Sequence, residues 1–208
     1  MTASPNLLWR CGRITVRLAG ALESAWTKHA LVTRLLAAVP SAPGRFQLEH
    51  DPMGKPRMLT ATGGCCPVCL SFSHHAGWLW AGAAPSADSG MDMGIDATGP
   101  EDFPDPYPDA RVFAHNELDA AARFVSSLPE ARALLWSLKE AAAKALGTGF
   151  HKVEPADLRV EALTPAEAGI LACRIHSPRG VMEALTGTPC GFRIAVATLH
   201  YQARSQHG

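Results

Sequence analysis

The chain has 208 residues, of which 47% are hydrophobic and 18% charged, and its 19 basic side chains match its 19 acidic ones. That composition is too apolar for a disordered segment, and the length suits two small subdomains better than one core. A neutral chain lacks the basic excess of a nucleic-acid binder, so no nucleic acid is expected as partner. In chain order, residues 1–30 carry Arg10, Arg13, Arg17, Glu23 and Lys28 without a long apolar run, so no secretory signal is expected. Arg13 to Leu18 alternates as a strand. Ser24 to Val39 reads as a helix with Leu31, Leu35 and Ala38 on one face, followed by a turn over Ser41 to Gly44. Gly54-Lys55-Pro56 is a loop.

Met58 to Ala87 contains no Asp, Glu, Lys or Arg, but glycines, Pro67, serines and the His74-His75 pair interrupt it. A spanning helix needs about 20 predominantly apolar residues. Two buried strands, Cys69 to Ser73 and Trp78 to Ala83, are expected instead, and no membrane. Met93 to Asp96 reads as a short strand ending in an acid. Gly99 to Asp109 alternates prolines with acids and is expected to be an extended loop. Asn116 to Val125 is a short helix with Asn116 as its N-cap. Ser127 and Glu130 form a capping-box pattern ahead of an alanine-rich helix that Gly147 and Gly149 stop. Leu135, Leu138, Ala142 and Leu146 share its buried face. Gly191 to Leu199 is the last strand. This mixed order predicts an α+β fold rather than a βαβ repeat, with a break near residues 84–95.

On the long helix, Trp136, Glu140 and Lys144 recur every fourth residue and so lie on one side. An acid between lysines can hold a metal–phosphate assembly, the carboxylate taking a hard cation and the ammoniums taking phosphate oxygens. Taken alone, the same pattern is also a solvated face with Glu–Lys pairs. Asp96 is a strand-end acid, and Lys55, Ser73 and His74 are weak signals individually.

Together they are specific. Gly54-Lys55-Pro56, Ser73-His74, Gly94-Ile95-Asp96, Phe113-x-x-x-Glu117 and Trp136-x-x-Lys139-Glu140-Ala-x-x-Lys144 resemble, in order and spacing, the phosphopantetheinyl transferase superfamily of the surfactin-synthetase-activating type. Phe192 to Ala197 is similar to its closing strand. The resemblance implies two pseudo-symmetric α+β subdomains, 1–92 and 93–208, with coenzyme A in the cleft between them. It implies a monomeric cytoplasmic transferase that moves the phosphopantetheine arm of coenzyme A to a serine of an acyl, peptidyl or aryl carrier protein. Asp96 and Glu140 match magnesium ligands, for which manganese can substitute, and Glu140 also the base. Lys139 and Lys144 match residues at the pyrophosphate, Lys144 among the catalytic ones. Ser73 and His74 match phosphate contacts, and Lys55 one near the nucleotide end. Of only five lysines against 14 arginines, Lys55, Lys139 and Lys144 fall on these motifs.

The sequence also departs from the pattern. Thr98 stands where many members carry a further acid, and a water is expected to fill the place. His75 replaces a Ser or Thr, Ser71 an Asn, and Lys28 and Arg34 are the candidates for the 3'-phosphate. Two alternatives remain: a homologue that binds coenzyme A or a carrier without transfer, and a zinc module built on Cys66-x-x-Cys69 with His74 and His75. Without a secretory signal, the six cysteines are expected to be reduced thiols.

Overall fold

A computed structural model describes residues 6–12, 14–37, 45–86, 91–167 and 169–200. The fold is α+β. Strands β1 (Asn6–Cys11) and β2 (Ile14–Leu22) form a hairpin. Helix α1 (Lys28–Leu36) is shorter than its apolar pattern promised, because the Thr27 hydroxyl accepts from the Ala30 amide and fixes the start there. The expected turn at 41–44 lies outside the described residues.

Strands β3 (Phe46–His50) and β4 (Pro56–Thr60) form a second hairpin that the sequence reading did not anticipate. Its turn is the Gly54-Lys55-Pro56 loop. There the Asp51 carboxylate accepts from the Met53 and Lys55 amides, both at 2.9 Å. The charge-free stretch supplies the end of β4 and then β5 (Val68–His75) and β6 (Trp78–Pro85). Strands β1, β2, β6 and β5, in that spatial order, make one antiparallel sheet.

Strand β7 (Met91–Thr98) continues past Asp96, so the acid sits inside the strand rather than at its end. Three helices follow: α2 (Asp109–Val112), α3 (His115–Ala121) and α4 (Leu128–Ala145). Helix α3 starts after Ala114, not Asn116, because the Glu117 carboxylate reaches back to the Ala114 amide at 2.8 Å. Helix α4 opens on the expected capping box, with the Ser127 hydroxyl accepting from the Glu130 amide and the Glu130 carboxylate from the Ser127 amide. The chain closes with β8 (Arg159–Glu167), β9 (Ile170–Ser177), β10 (Gly180–Gly187) and β11 (Arg193–His200). The second sheet runs β7-β11-β10-β9-β8.

The two sheets face each other across a core that includes Trp9, Val16, Leu18, Trp80, Met93, Ile95, Phe192 and Ile194. Helix α1 and the β3–β4 hairpin cover the outer face of the first sheet through Leu31, Leu35, Met58 and Leu79. Helix α4 covers the outer face of the second through Leu135, Leu138, Ala142 and Leu146, its four expected core residues. Alternation along β7 decides what each residue faces: Met93, Ile95 and Ala97 enter the inter-sheet core, while Gly94 and Asp96 turn to α4. The two sheets are also stitched edge to edge. Ser71 and Ser73 of β5 accept from the Ile95 and Ala97 amides at 3.0 Å, and the Cys69 thiol donates to the Met91 carbonyl.

Candidate functional site

Gly94 sets the site's geometry. A methyl group there would lie 2.0 Å from the Ala141 carbonyl oxygen and 2.6 Å from the Ala145 amide nitrogen, so only glycine lets α4 lie this close to β7. Two residues on, Asp96 therefore meets the next exposed turn of α4. Lys144 Nζ lies 2.9 Å from Asp96 Oδ1 and 3.3 Å from Glu140 Oε1, so one ammonium bridges two carboxylates from different elements. The Ser73 hydroxyl donates to Asp96 Oδ1 at 2.9 Å and accepts from Lys144 at 3.3 Å. With the Ala97 amide, that fills its hydrogen-bonding capacity.

Asp96 is only 3% exposed, and its second oxygen, Oδ2, is buried with no hydrogen-bond partner. Burial raises the Asp96 carboxyl to about 7, with the Glu140 charge adding to the rise and Lys144 and Ser73 opposing it. Burial presses the Lys144 ammonium downward, but the two carboxylates outweigh it and hold it above the ordinary lysine range.

These groups line a cleft of about 650 Å³ together with Phe72, His74, His75, Thr98, Asp102, Phe103, Tyr107 and Trp136. The structure thus brings Ser73, His74, Asp96, Glu140 and Lys144 to one place. His74 sits at the rim, half-exposed and paired with Glu23 from the turn after β2. Lys28 lies near the cleft, its ammonium 5.2 Å from the ring centre of Phe72. Arg34 stacks over Trp26 elsewhere on α1.

Lys55 does not join this cluster. It lines a second cavity of about 420 Å³ with Asp92, Arg57, Thr148 and Arg179, and it forms an ion pair with Asp92. Arg179 donates to the Leu146 carbonyl beside it, at the end of α4.

Lys139 requires a correction. Expected at the pyrophosphate, it is fully buried on the other side of α4. Its ammonium meets Glu117 Oε2 at 2.9 Å and the Pro155 and Leu158 carbonyls at 3.0 and 2.5 Å, and lies 5.9 Å from the Phe113 ring centre. The signal was present, because Lys139 is flanked at i−4 and i+3 by the buried Leu135 and Ala142. The Phe113-x-x-x-Glu117 pattern is thereby an architectural feature of this protein.

The sequence reading also missed Asp102, which it left as one of several loop acids. The Thr98 hydroxyl donates to Asp102 Oδ2 at 2.7 Å, and the Gly99 amide at 3.2 Å. His75 Nδ1 lies 3.4 Å from the same oxygen. His75 Nε2 is 2.9 Å from Glu101 Oε1, but without the alignment of a hydrogen bond. A useful signal was the adjacency of two acids to Thr98 across a single Gly-Pro turn.

The zinc arrangement does not form. Cys69 and His75 occupy opposite ends of β5, about 20 Å apart at ~3.3 Å per residue. Among the described residues no group of three or more His, Cys, Asp or Glu is arranged to hold a metal ion. Burial holds the Cys66 and Cys69 thiols above the ordinary range, with Cys65 and Asp92 respectively adding to it.

Residues 92–184 match the family model of the 4'-phosphopantetheinyl transferase superfamily. The matched span holds Asp96, Glu140 and Lys144, together with the buried Glu117–Lys139 pair. That superfamily uses coenzyme A as co-substrate with a divalent metal and acts on carrier proteins. No curated protein matches the chain. Among the described residues, no helix is long and apolar enough to cross a membrane.

Proposed function

We propose that this protein is a phosphopantetheinyl transferase of the surfactin-synthetase-activating type, working as a cytoplasmic monomer on acyl, peptidyl or aryl carrier proteins. In this reading coenzyme A lies between the halves 1–92 and 93–208. The observation that carries it is the buried Asp96, which lines a cleft where Lys144 bridges its Oδ1 to Glu140 while its buried Oδ2 has no hydrogen-bond partner. A buried polar atom without a partner is costly and marks a place for a ligand.

The donor set fits a hard divalent cation: two carboxylates from facing elements, now satisfied by an ammonium. Asp96 and Glu140 would hold magnesium or manganese, which when bound neutralises charge on the pyrophosphate oxygens.

The chain's own residues do the rest. Lys144 directs its charge to the pyrophosphate once the carboxylates have another cation. Ser73 keeps Asp96 oriented and, with His74 at the rim, offers phosphate contacts. Lys55, in the second cavity, serves the nucleotide end. Glu140, one-third exposed and so reachable from the cleft, takes the hydroxyl proton of the carrier serine. The serine oxygen attacks the β-phosphorus of coenzyme A. A new phosphorus–oxygen ester bond forms as the bond to the bridging oxygen breaks, and 3',5'-ADP leaves with that electron pair.

The test uses coenzyme A labelled in its pantetheine portion, with magnesium and apo carriers from fatty-acid, polyketide and nonribosomal-peptide systems. Label appearing on a carrier, and lost in excess chelator, is the expected result. Tight coenzyme A binding with no transfer to any carrier would overturn the enzyme reading in favour of a binding protein.

A further inference from the structure

The two cavities lie in series, and three elements give the same order. The cavity that holds Lys55 is lined by Leu70 of β5, Asp92 of β7 and Leu146 at the end of α4. The cleft is lined farther along each of them, by Ser73 and His75 of β5, by Asp96 and Thr98 of β7, and by Lys144, Glu140 and Trp136 of α4. From Leu146 back to Trp136 the helix covers about 15 Å at ~1.5 Å per residue. With a nucleotide end at Lys55 and a pyrophosphate at Lys144, as proposed above, an elongated ligand runs toward the N-terminal part of α4. The Trp136 end of the cleft is what lies ahead of it. A cleft of about 650 Å³ is in the size range that takes a whole organic ligand rather than a pyrophosphate alone.

That end is apolar and held in place. Phe103 sits edge-on to Tyr107 at 5.1 Å between ring centres and to Trp136 at 6.3 Å, and Phe150 backs Trp136 at 5.2 Å. Arg132 of α4, 3% exposed, fixes the loop that carries Phe103 and Tyr107. It donates from Nε and Nη2 to the two carboxylate oxygens of Asp109 at 2.8 and 2.7 Å, and its guanidinium lies 5.4 Å from the Tyr107 ring centre. A bidentate pair from a buried arginine fixes a loop in a way that an exposed ion pair does not. His75 of β5 joins this end through Asp102, the chain neighbour of Phe103, whose Oδ2 is 3.4 Å from His75 Nδ1. The imidazole is nearly buried and packs edge-on to Phe192. Its Nε2 is buried without a hydrogen-bond partner, although the exposed Glu101 carboxylate lies 2.9 Å away. An unmade bond beside an aromatic wall suits a chain that alternates apolar carbons with hydroxyl and amide groups.

We propose that this end of the cleft, with Phe103, Tyr107 and Trp136 as its apolar wall and His75 as its polar contact, is the subsite for the pantetheine arm of coenzyme A. The assignment rests on the transferase reading above and sets the direction of the co-substrate along α4. The methyl and methylene carbons of the arm lie against the rings, and one of its hydroxyl or amide groups completes His75 Nε2. The transferred group is then held at both ends, by Lys144 at its phosphate and by the wall along its arm. These residues bind and position; none of them reacts.

The test compares two ligands on the full chain by titration calorimetry with magnesium present. One is coenzyme A. The other is 3'-phosphoadenosine 5'-diphosphate, which keeps the nucleotide and both 5'-phosphates but lacks the arm. Trp136→Leu trims the wall and should weaken coenzyme A by roughly tenfold, while the armless nucleotide stays within about twofold. Tyr107→Ala should act in the same way, and it carries the test if Trp136→Leu fails to fold. His75→Phe keeps a ring against Phe192 but removes the nitrogens. It should cost coenzyme A roughly two- to tenfold, again with the armless nucleotide unaffected. Lys55→Ala should weaken both ligands alike. Equal losses for the two ligands in the Trp136 and Tyr107 variants, or no loss for either, would overturn the subsite and leave the transferase reading standing. A loss confined to coenzyme A in Lys55→Ala would overturn the direction along α4 and the subsite with it. Failure of the unmodified chain to bind either ligand would overturn the transferase reading as well.

Discussion

Helix α4 presents a lysine to an acid of another element on each of two sides, Lys139 to Glu117 of α3 and Lys144 to Asp96 of β7, and the two pairs are built to opposite ends. On the core side, Glu117 and Lys139 are closed. Glu117 accepts from the Ala114 and Val160 amides and from Lys139, while the ammonium spends its three donors on Glu117 and two carbonyls. On the cleft side, Asp96 and Lys144 are left open. One Asp96 oxygen has no partner, Lys144 is a quarter exposed, and Glu140 shares it. A buried pair with every position filled specifies architecture, whereas one left incomplete beside a cavity is poised for a ligand. Lysines five residues apart on one helix thus have different work because of what surrounds them.

The largest effect should come from the open side. Glu140→Gln keeps shape but cannot accept a proton, so turnover should fall by about 10²–10⁴-fold with little change in coenzyme A affinity. Steady-state transfer and coenzyme A titration read the two quantities separately.

Next is the closed side. Glu117→Ala leaves a buried ammonium without its carboxylate, and denaturant unfolding should show a loss of about 3–5 kcal/mol. The double change Glu117→Leu/Lys139→Met removes both charges and should recover most of that loss. If it does not, the pair does more than fill space.

The contrast in the fold itself was only partly visible in the sequence. Helix α4 was legible because its signals are local: the Ser127–Glu130 cap, the alanine run and the closing Gly147. So were β5, β6 and β11, whose apolar residues stand close together. Strands β8, β9 and β10 went unread because they form sequential hairpins whose faces are half-exposed, so their apolar alternation is weak. In β8 the register also shifts between Glu161 and Thr164, where Ala162 takes a φ of 55°. At the site, the residue types and their spacing singled out Asp96, Glu140 and Lys144, and the structure places both carboxylates against the Lys144 ammonium. Lys139 was misplaced because motif membership does not say which side of a helix a residue faces, although its buried flanks did. Asp102 was unread because its contact with Thr98 depends on the turn that folds it back onto β7.

The acidity of Asp96 sharpens the comparison further. With its carboxyl raised to about 7, chiefly by burial, the protonated form prevails below that pH, and an incoming cation must displace a proton. Apparent magnesium affinity should therefore fall by up to about tenfold per pH unit below 7 and level off above it. A flat profile between pH 6 and 8 would place the cation away from Asp96. The smallest effect is expected at Lys55→Ala. Its ammonium is already balanced by Asp92, so coenzyme A affinity should weaken by only about tenfold or less, as measured by titration calorimetry.

The most direct test makes the same substitution on both sides of the helix and measures coenzyme A affinity and melting temperature together. Lys144→Met leaves Asp96 a buried carboxyl that can take a proton, so it should lower the melting temperature less than Lys139→Met does and lose most coenzyme A affinity. Lys139→Met should lower the melting temperature sharply, while the protein that remains folded binds coenzyme A as the unmodified chain does. Coenzyme A binding lost in folded Lys139→Met but retained in Lys144→Met would contradict the account at its centre.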